Sequence, residues 1–400
     1  MKYWNQLRTC FTQVYVLAFL LFTSGLILPN PQLKASTGEP TNLKFQRIYE
    51  GLASGRITDI HQDRYDYMWV GTNSGLHLYN GIDFKLYSSN SDSTTIISNY
   101  IGQIFEDSGG NLWIGTAGGI NRYNRETDNF ERIWFDGSYH HNPETSSSVN
   151  SILEDWQGTV WVAGGDEELY RLDEDKKQLV PFRGFKGIGI NYISEASEGE
   201  LWMATTSEGL IRLNTSTGNV TAHYMHNPDD PESLPTNSLE SVITDRHGNL
   251  WLGTLGNGLI RKERNGDNVS FYQYRHEPGN PKSLGNNFIF TLYLDNNQNL
   301  WIGNENGGLH AYNEAHDNFH RYFNNPHDQH SITDDSIWVV FQDRNGRYWV
   351  GTGQTGLNVA DRFNHKFTHF NQPMLRGGLK SYVIRDVLEG ENGVIWLAAD

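Results

Sequence analysis

The chain has one cysteine, Cys10, in 400 residues. It precedes the apolar stretch Val14 to Leu28, so it is misplaced for a lipoprotein acceptor, and disulfides, thiolate metal sites and Cys nucleophiles are excluded together. Basic residues are also sparse: 31 Lys and Arg stand against 47 Asp and Glu, a formal net charge of −16. Phosphate binding needs a basic surface, so nucleic acid is excluded as a partner, and an anionic membrane is a poor docking surface for the folded part. The one long apolar stretch is short for a spanning helix, which needs ~20 residues. Lys2 and Arg8 precede it, and Pro29, Pro31 and a small-residue cleavage site near Ala35 follow. Residues 1–35 therefore read as an export signal, with an uncleaved N-terminal anchor as the alternative. A linker over 36–42 follows, and the remainder is expected on the periplasmic or extracellular side.

What the sequence has in quantity is glycine (41) and aromatic residues (13%), a composition that suits an all-β repeat protein. Tryptophan serves as a ruler. Trp69, Trp113, Trp161, Trp202, Trp251, Trp301, Trp349 and Trp396 are separated by 41 to 50 residues. Twelve residues before each stands an aliphatic: Ile57, Ile101, Val149, Ile190, Leu239, Ile289, Ile337 and Ile384. Nine before it stands another: Ile60, Ile104, Ile152, Ile193, Val242, Leu292, Val340 and Val387. Two after each Trp comes Gly or Ala. Recurrence at several independent positions defines a repeat, and the repeat decides the fold.

Each unit reads as four short antiparallel strands. The aliphatic pair marks a buried first strand. A turn follows, usually with Asp six before the Trp and Gly three before it, which is hairpin chemistry. The Trp strand and a Gly-led third strand come next, then a fourth with spaced aromatics such as Phe319 and Tyr322. That is a propeller blade. A blade cannot bury both faces alone, so the Trp is expected as a wedge between blades, and the small residue after it leaves room for the adjoining sheet. The expected fold class is all-β, a seven-bladed β-propeller over residues 43–366, with a lone strand near Phe45 to Tyr49 completing the seventh blade. Residues 367–400 then begin a second propeller, and the sequence reads as a piece of a longer product.

The units W-I-G-T-A-G-G-I-N-R-Y-N from Trp113 and D-R-H-G-N-L-W-L-G-T-L-G-N-G-L-I from Asp245 resemble the two-component regulator propeller repeat. So do the linkers H-N-P-D-D-P-E-S-L-P-T-N-S-L from His226 and N-N-P-H-D-Q-H-S-I-T-D-D-S-I from Asn324. The likeness extends over nearly everything from residue 43 onward. Departures are Ala163 and Ala204 in place of Gly, and Asp66 and Gln298 at usual Gly turn positions. The resemblance implies an extracytoplasmic sensor of two seven-bladed rings, followed by an immunoglobulin-like module, a membrane helix and a histidine kinase or, in some relatives, a diguanylate cyclase. It implies polysaccharide fragments as ligands, and a homodimer formed through regions outside this sequence. Ligand binding would shift the rings or dimer mates and so bias the output.

Several segments imitate other sites. Gly164-Gly165-Asp166-Glu167-Glu168 has the letters of a diguanylate cyclase signature, but it stands at a blade turn with no α/β pattern around it. His316 and His320, His327 and His330, and His365 and His369 are spaced pairs. On a strand, a four-residue spacing puts ligands ~13 Å apart, so no metal is expected. No cofactor is implied. The D-x-x-G-x-x-W turn resembles the Asp-box of sialidase propellers, at a different spacing. Asp334, Asp335 and Glu305 are carboxylates of the kind a glycosidase pairs, yet no spacing singles out a pair, and no catalytic residue is assigned. Ligand-binding candidates are Asn99, Asn237, Asn287 and Asp335, which open first strands, together with Glu305 and Trp338, whose indole suits a sugar ring. The favoured reading is a sensor of oligosaccharide or another small extracellular ligand. A secreted glycan-active enzyme and a protein-binding scaffold are the alternatives.

Overall fold

The computed structural model describes residues 43–48, 50–135, 148–164, 168–173, 175, 177–182, 184–265, 268–361, 384–389 and 395–399. The export signal, the 36–42 linker, Cys10, the centre of the Gly164–Glu168 segment, and His365 and His369 lie outside the described residues.

The described residues form seven four-stranded antiparallel sheets. Blades 1 to 6 occupy residues 57–87, 101–134, 149–181, 190–224, 239–274 and 289–322, each with its strands in sequence order. Blade 7 takes three strands from residues 337–360, and its outermost strand is Phe45–Ile48, paired with Leu357–Ala360. The first strand of every blade neighbours the next, and Ile57–Gln62 lies beside Ile337–Gln342, so the ring is closed. The fold is a seven-bladed β-propeller. A further pair, Ile384–Glu389 with Ile395–Ala399, follows it.

The core is seven seams. Each apolar cluster joins the Trp of one blade to the first two strands of the next: Trp69 packs with Ile101, Ile104 and Leu112, and Trp349 packs with Ile57, Ile60 and Met68 across the closure. The seven seam tryptophans are at most 6% exposed, whereas Trp396, with no further blade described beyond it, is 65% exposed. The glycine two residues after the Trp sits where blades touch. A Cβ on Gly71 would stand 2.8 Å from Ile101 Cγ2, and one on Gly351 would stand 2.6 Å from Ile57 Cγ2.

The recurrent Asp does more than turn the hairpin. In blades 1, 2, 3, 5, 6 and 7 its Oδ2 accepts the indole N–H of the seam Trp, as Asp107 does from Trp113 at 2.8 Å and Asp343 from Trp349 at 2.9 Å. Its Oδ1 meanwhile accepts turn amides, as from Asn111 at 2.7 Å. One carboxylate therefore fixes the turn and orients the wedge. Blade 4 has Ala196 at that place and offers no such acceptor. Three residues before the Trp the backbone is left-handed whether or not the residue is Gly: φ is 90° at Gly110 and 81° at Gly346, but also 68° at Asp66 and 64° at Gln298.

The loops between blades are locked by an aliphatic, buried at Ile96, Leu234, Leu284 and Ile332 and half-buried at Leu52. The amide that follows it is capped from the third strand. His77 Nε2 accepts from Ala53 at 2.9 Å, Asn121 Oδ1 from Ile97 at 2.8 Å, His310 Nε2 from Gly285 at 2.8 Å, and Asn358 Oδ1 from Thr333 at 3.1 Å. After Leu234 the residue is Pro235, which has no N–H, and the matching third-strand residue is apolar Ile260. At Pro235, which has no N–H to bond, no polar cap is required.

Candidate functional site: the axial cavity

A cavity of about 530 Å³ is walled by the first strands of all seven blades. Its lining has a common origin. In every blade the ladder between first and second strands slips immediately after the opening aliphatic, as between Ile57 and Asp59 or between Ile337 and Val339. A bulge of this kind leaves an extra residue unpaired and re-aims its side chain. The residues so placed are Thr58, Gly102, Asn150, Asn191, Glu240, Phe290 and Trp338, and all seven line the cavity.

The wall is therefore lopsided. Blades 6 and 7 contribute Phe290 and Trp338, with ring centroids 5.4 Å apart and planes at 60°. The Arg56 guanidinium lies 5.0 Å from the Trp338 ring centroid. Gly353 gives that indole its place, because a Cβ there would be 2.9 Å from Trp338 Nε1. Blades 1 to 5 contribute hydroxyl, amide and carboxyl groups. Several are tied across the seams: Asp59 Oδ2 accepts from Ile104 N at 2.6 Å, Asn150 Nδ2 donates to Ile190 O at 3.0 Å, and Asn191 Nδ2 donates to Leu239 O at 2.8 Å. Thr58 Oγ1, His61 Nε2 and Ser241 Oγ are buried and make no hydrogen bond among the described residues.

Burial dominates the electrostatics. It pushes Asp59 up to about 7 against two backbone amides that favour the carboxylate, and it pushes Glu240 up to about 7. Tyr192 is raised to about 12 by burial and then by Asp59, and His61 is lowered to about 4 by burial. Among the described residues, no Lys or Arg forms the cavity wall itself. Such a space suits an uncharged ligand with one apolar face and many hydroxyls.

Of the residues singled out from sequence, Trp338 is in this wall. Asn99, Asn237, Asn287 and Asp335 instead clasp the loops that deliver each first strand. Their Oδ1 atoms accept from Ser89 N at 2.7 Å, His226 N at 2.6 Å, His276 N at 2.7 Å and Asn324 N at 2.7 Å. Glu305 is half-buried on the loop after a Trp strand, where its N–H donates to Phe288 O at 3.0 Å. Asp334 Oδ1 accepts from Ser336 N at 3.0 Å, a local turn bond. Asn150, Asn191, Glu240, Asp59 and Phe290 were not singled out from sequence. The readable signal was variability, since the position after the opening aliphatic differs in nearly every copy while its neighbours do not.

Fold and cavity together define a closed propeller with an axial recess of varied chemistry. Within that class, the profile described as "Two component regulator propeller" matches residues 51–74, 95–118, 283–306 and 331–354. A stretch of 49 residues is 41% identical to histidine kinase P4 of Formosa agariphila, covering 12% of this chain and 4% of that protein. The extracellular domain of the hybrid two component system BT3049 from B. thetaiotaomicron superposes with a TM-score of 0.64 at 23% identity, over 89% of this chain and 47% of that one. Virginiamycin B lyase from Staphylococcus aureus superposes with a TM-score of 0.59 at 15% identity, over 80% of this chain and 99% of the lyase. At these identities the structural likeness shows the fold. The chain spans about half the length of the BT3049 domain and matches a small part of the kinase.

Proposed function

We propose that this propeller is the ligand-sensing part of the extracytoplasmic region of a two-component signalling receptor, that its ligand is an oligosaccharide, and that occupancy regulates a C-terminal histidine kinase, or a diguanylate cyclase, through a homodimer. The repeat and the kinase segment support the receptor context. The observation that carries the ligand is the ring of bulge residues, aromatic at Phe290 and Trp338 and amide-rich at Asn150 and Asn191. A pyranose presents an apolar face to stack and equatorial hydroxyls to bond, and this wall offers both partners. Nothing in the reading requires turnover.

The test is a glycan array followed by calorimetry on the purified chain, with product analysis of any ligand found. Saturable binding without cleavage is expected, and Trp338→Ala should weaken it roughly 10-fold or more through lost stacking. Binding of a protein partner in place of any glycan would overturn the ligand assignment. One observation favours an enzyme as the second reading: Asp59 and Glu240 are held near neutrality, as a general acid requires. Cleavage abolished by Asp59→Asn or Glu240→Gln alone would establish that reading.

A further inference from the structure

The wall of the recess accounts for a stacked sugar with hydroxyls and leaves the other substituents of that sugar unassigned. A charged group stands beside it. The residue just before the opening aliphatic is Arg56 in blade 1, whereas in blades 2 to 7 it is Tyr, Ser, Gly, Ser, Phe and Ser. Arg56 is exposed, and its guanidinium reaches across the ring closure to lie 5.0 Å from the centroid of the Trp338 indole. Its backbone N–H donates to Ser54 Oγ at 3.1 Å, but the guanidinium makes no hydrogen bond or ion pair among the described residues. Acids outnumber bases 47 to 31 in this chain, and arginines in the turns after first strands do hold carboxylates. Arg64 pairs with Glu106 at 2.9 Å and Arg344 with Asp66 at 2.7 Å. Asp334 and Asp335, the carboxylates nearest to Trp338 in sequence, accept instead from the amides of Ser336 and Asn324.

The place of the guanidinium is built into the backbone. Where blades 2, 5, 6 and 7 carry the clasping Asn or Asp, blade 1 has Gly55. A Cβ there would run into the Gln354 carbonyl, and Gly55 O accepts from Gly356 N at 2.8 Å. Gly353, in the same blade 7 loop, makes room for the indole. One loop thus seats both the cation and the aromatic surface under it. Stacking uses the face of a guanidinium and leaves its in-plane N–H donors free, in a fork that matches the oxygens of an acid group.

Charge then gives the recess a direction. Blade 1 contributes Asp59 to the wall, and blade 5 contributes Glu240, whose one contact is Asn191 Nδ2 at 3.4 Å. An anionic substituent turned toward these carboxyl groups would be repelled. Turned toward Arg56, it gains a charge-assisted pair. We infer that the saccharide sensed by this recess is acidic, and that Arg56, stacked on Trp338, receives its carboxylate or sulfate while the uncharged part lies against the aromatic wall. This rests on the sensor reading, which requires a glycan but no charge on it.

The test uses the full 400-residue chain and calorimetry with probes matched in pairs. Trigalacturonate and its methyl ester isolate the carboxylate, and a sulfated galactan oligosaccharide and its desulfated form isolate the sulfate. Cellotriose and mannotriose serve as neutral controls. At least one acidic probe is expected to bind roughly tenfold or more tightly than its neutral partner, and the pair that shows this margin tells carboxylate from sulfate. Raising salt from about 50 to about 500 mM should erode the margin. Arg56→Gln should bring the two members within about twofold of each other, with no fall in melting temperature, because the guanidinium bonds nothing in the fold. If the margin survives in Arg56→Gln, or if the parent binds acidic and neutral members alike, the acidic assignment falls and a glycan sensor stands. Binding of neutral probes alone has the same consequence. Binding of no probe overturns both readings.

Discussion

The seams between blades and the wall of the cavity are built from adjacent residues of the same strands, and they behave in opposite ways. At the seams every blade repeats itself: an aliphatic at the strand opening, an indole opposite, a small residue beneath it. In the wall the bulge residues run Thr, Gly, Asn, Asn, Glu, Phe, Trp around the ring. Packing against an identical neighbour tolerates little change, because interiors are close-packed and a methyl group is felt. A bulge side chain meets no such neighbour and is free to differ. The contrast separates what holds the disc together from what gives it a chemistry of its own.

The hardest blow to that contrast is aimed at the indoles. Trp301→Ala, which empties a seam where the side chain is fully buried, should cost ~3–5 kcal/mol in denaturant unfolding. Trp396→Ala, at the same repeat position but exposed, should change stability by less than about 0.5 kcal/mol. Equal losses at the two sites would mean that seam packing does not carry the fold.

The next effect depends on pH. His77 and His310 cap loop amides through Nε2 and are therefore neutral; burial lowers them to about 4 and about 3, with Arg321 lowering His310 further. A histidine depressed in the fold contributes stability that is complete above its unfolded value near 6.5 and is lost as pH falls toward the folded value. Asp59 and Glu240 run the other way: raised to about 7, they contribute most below the unfolded carboxyl range and lose that contribution as pH rises through 7. Blades 2 and 7 perform the same capping with Asn121 and Asn358, which do not titrate. His77→Asn/His310→Asn should therefore keep the caps and recover roughly 1–3 kcal/mol at pH 4.5 relative to the parent, read from urea midpoints. An unchanged acid limb would remove the histidines from the account.

The smallest effect sharpens the turns. Gln298 holds φ at 64°, a conformation that the other turns mostly give to Gly. Gln298→Gly should add about 0.5–1 kcal/mol, visible as a small rise in the thermal midpoint. A loss there would show that the Gln side chain has a role its backbone does not reveal.

Much of the fold was legible because a propeller is periodic, and the indole marks the period. The seventh blade's borrowed strand followed from residues 45–49 being a strand with no blade of its own. The double duty of the Asp six before each Trp was not legible. Its turn chemistry is local and shows in the spacing, but its bond to the indole needs the hairpin already folded. The site was harder. Asn99, Asn237, Asn287 and Asp335 are polar residues at strand openings, and sequence does not distinguish a side chain aimed into a channel from one that accepts an amide ten or eleven residues back along its own loop. The bulge that does aim side chains inward leaves no mark on the alternation, because the inserted residue is unpaired. Of the bulge residues, Trp338 alone was singled out from sequence, and the equally aromatic Phe290 was passed over.

The most direct measurement is a crystal structure of the chain with an uncharged oligosaccharide bound. It should show a sugar ring against Phe290 and Trp338 with hydroxyls reaching Asn150, Asn191 or Glu240. A glycan held only on the outer edge strands, with the axial wall untouched, would contradict the assignment of recognition to the bulge residues.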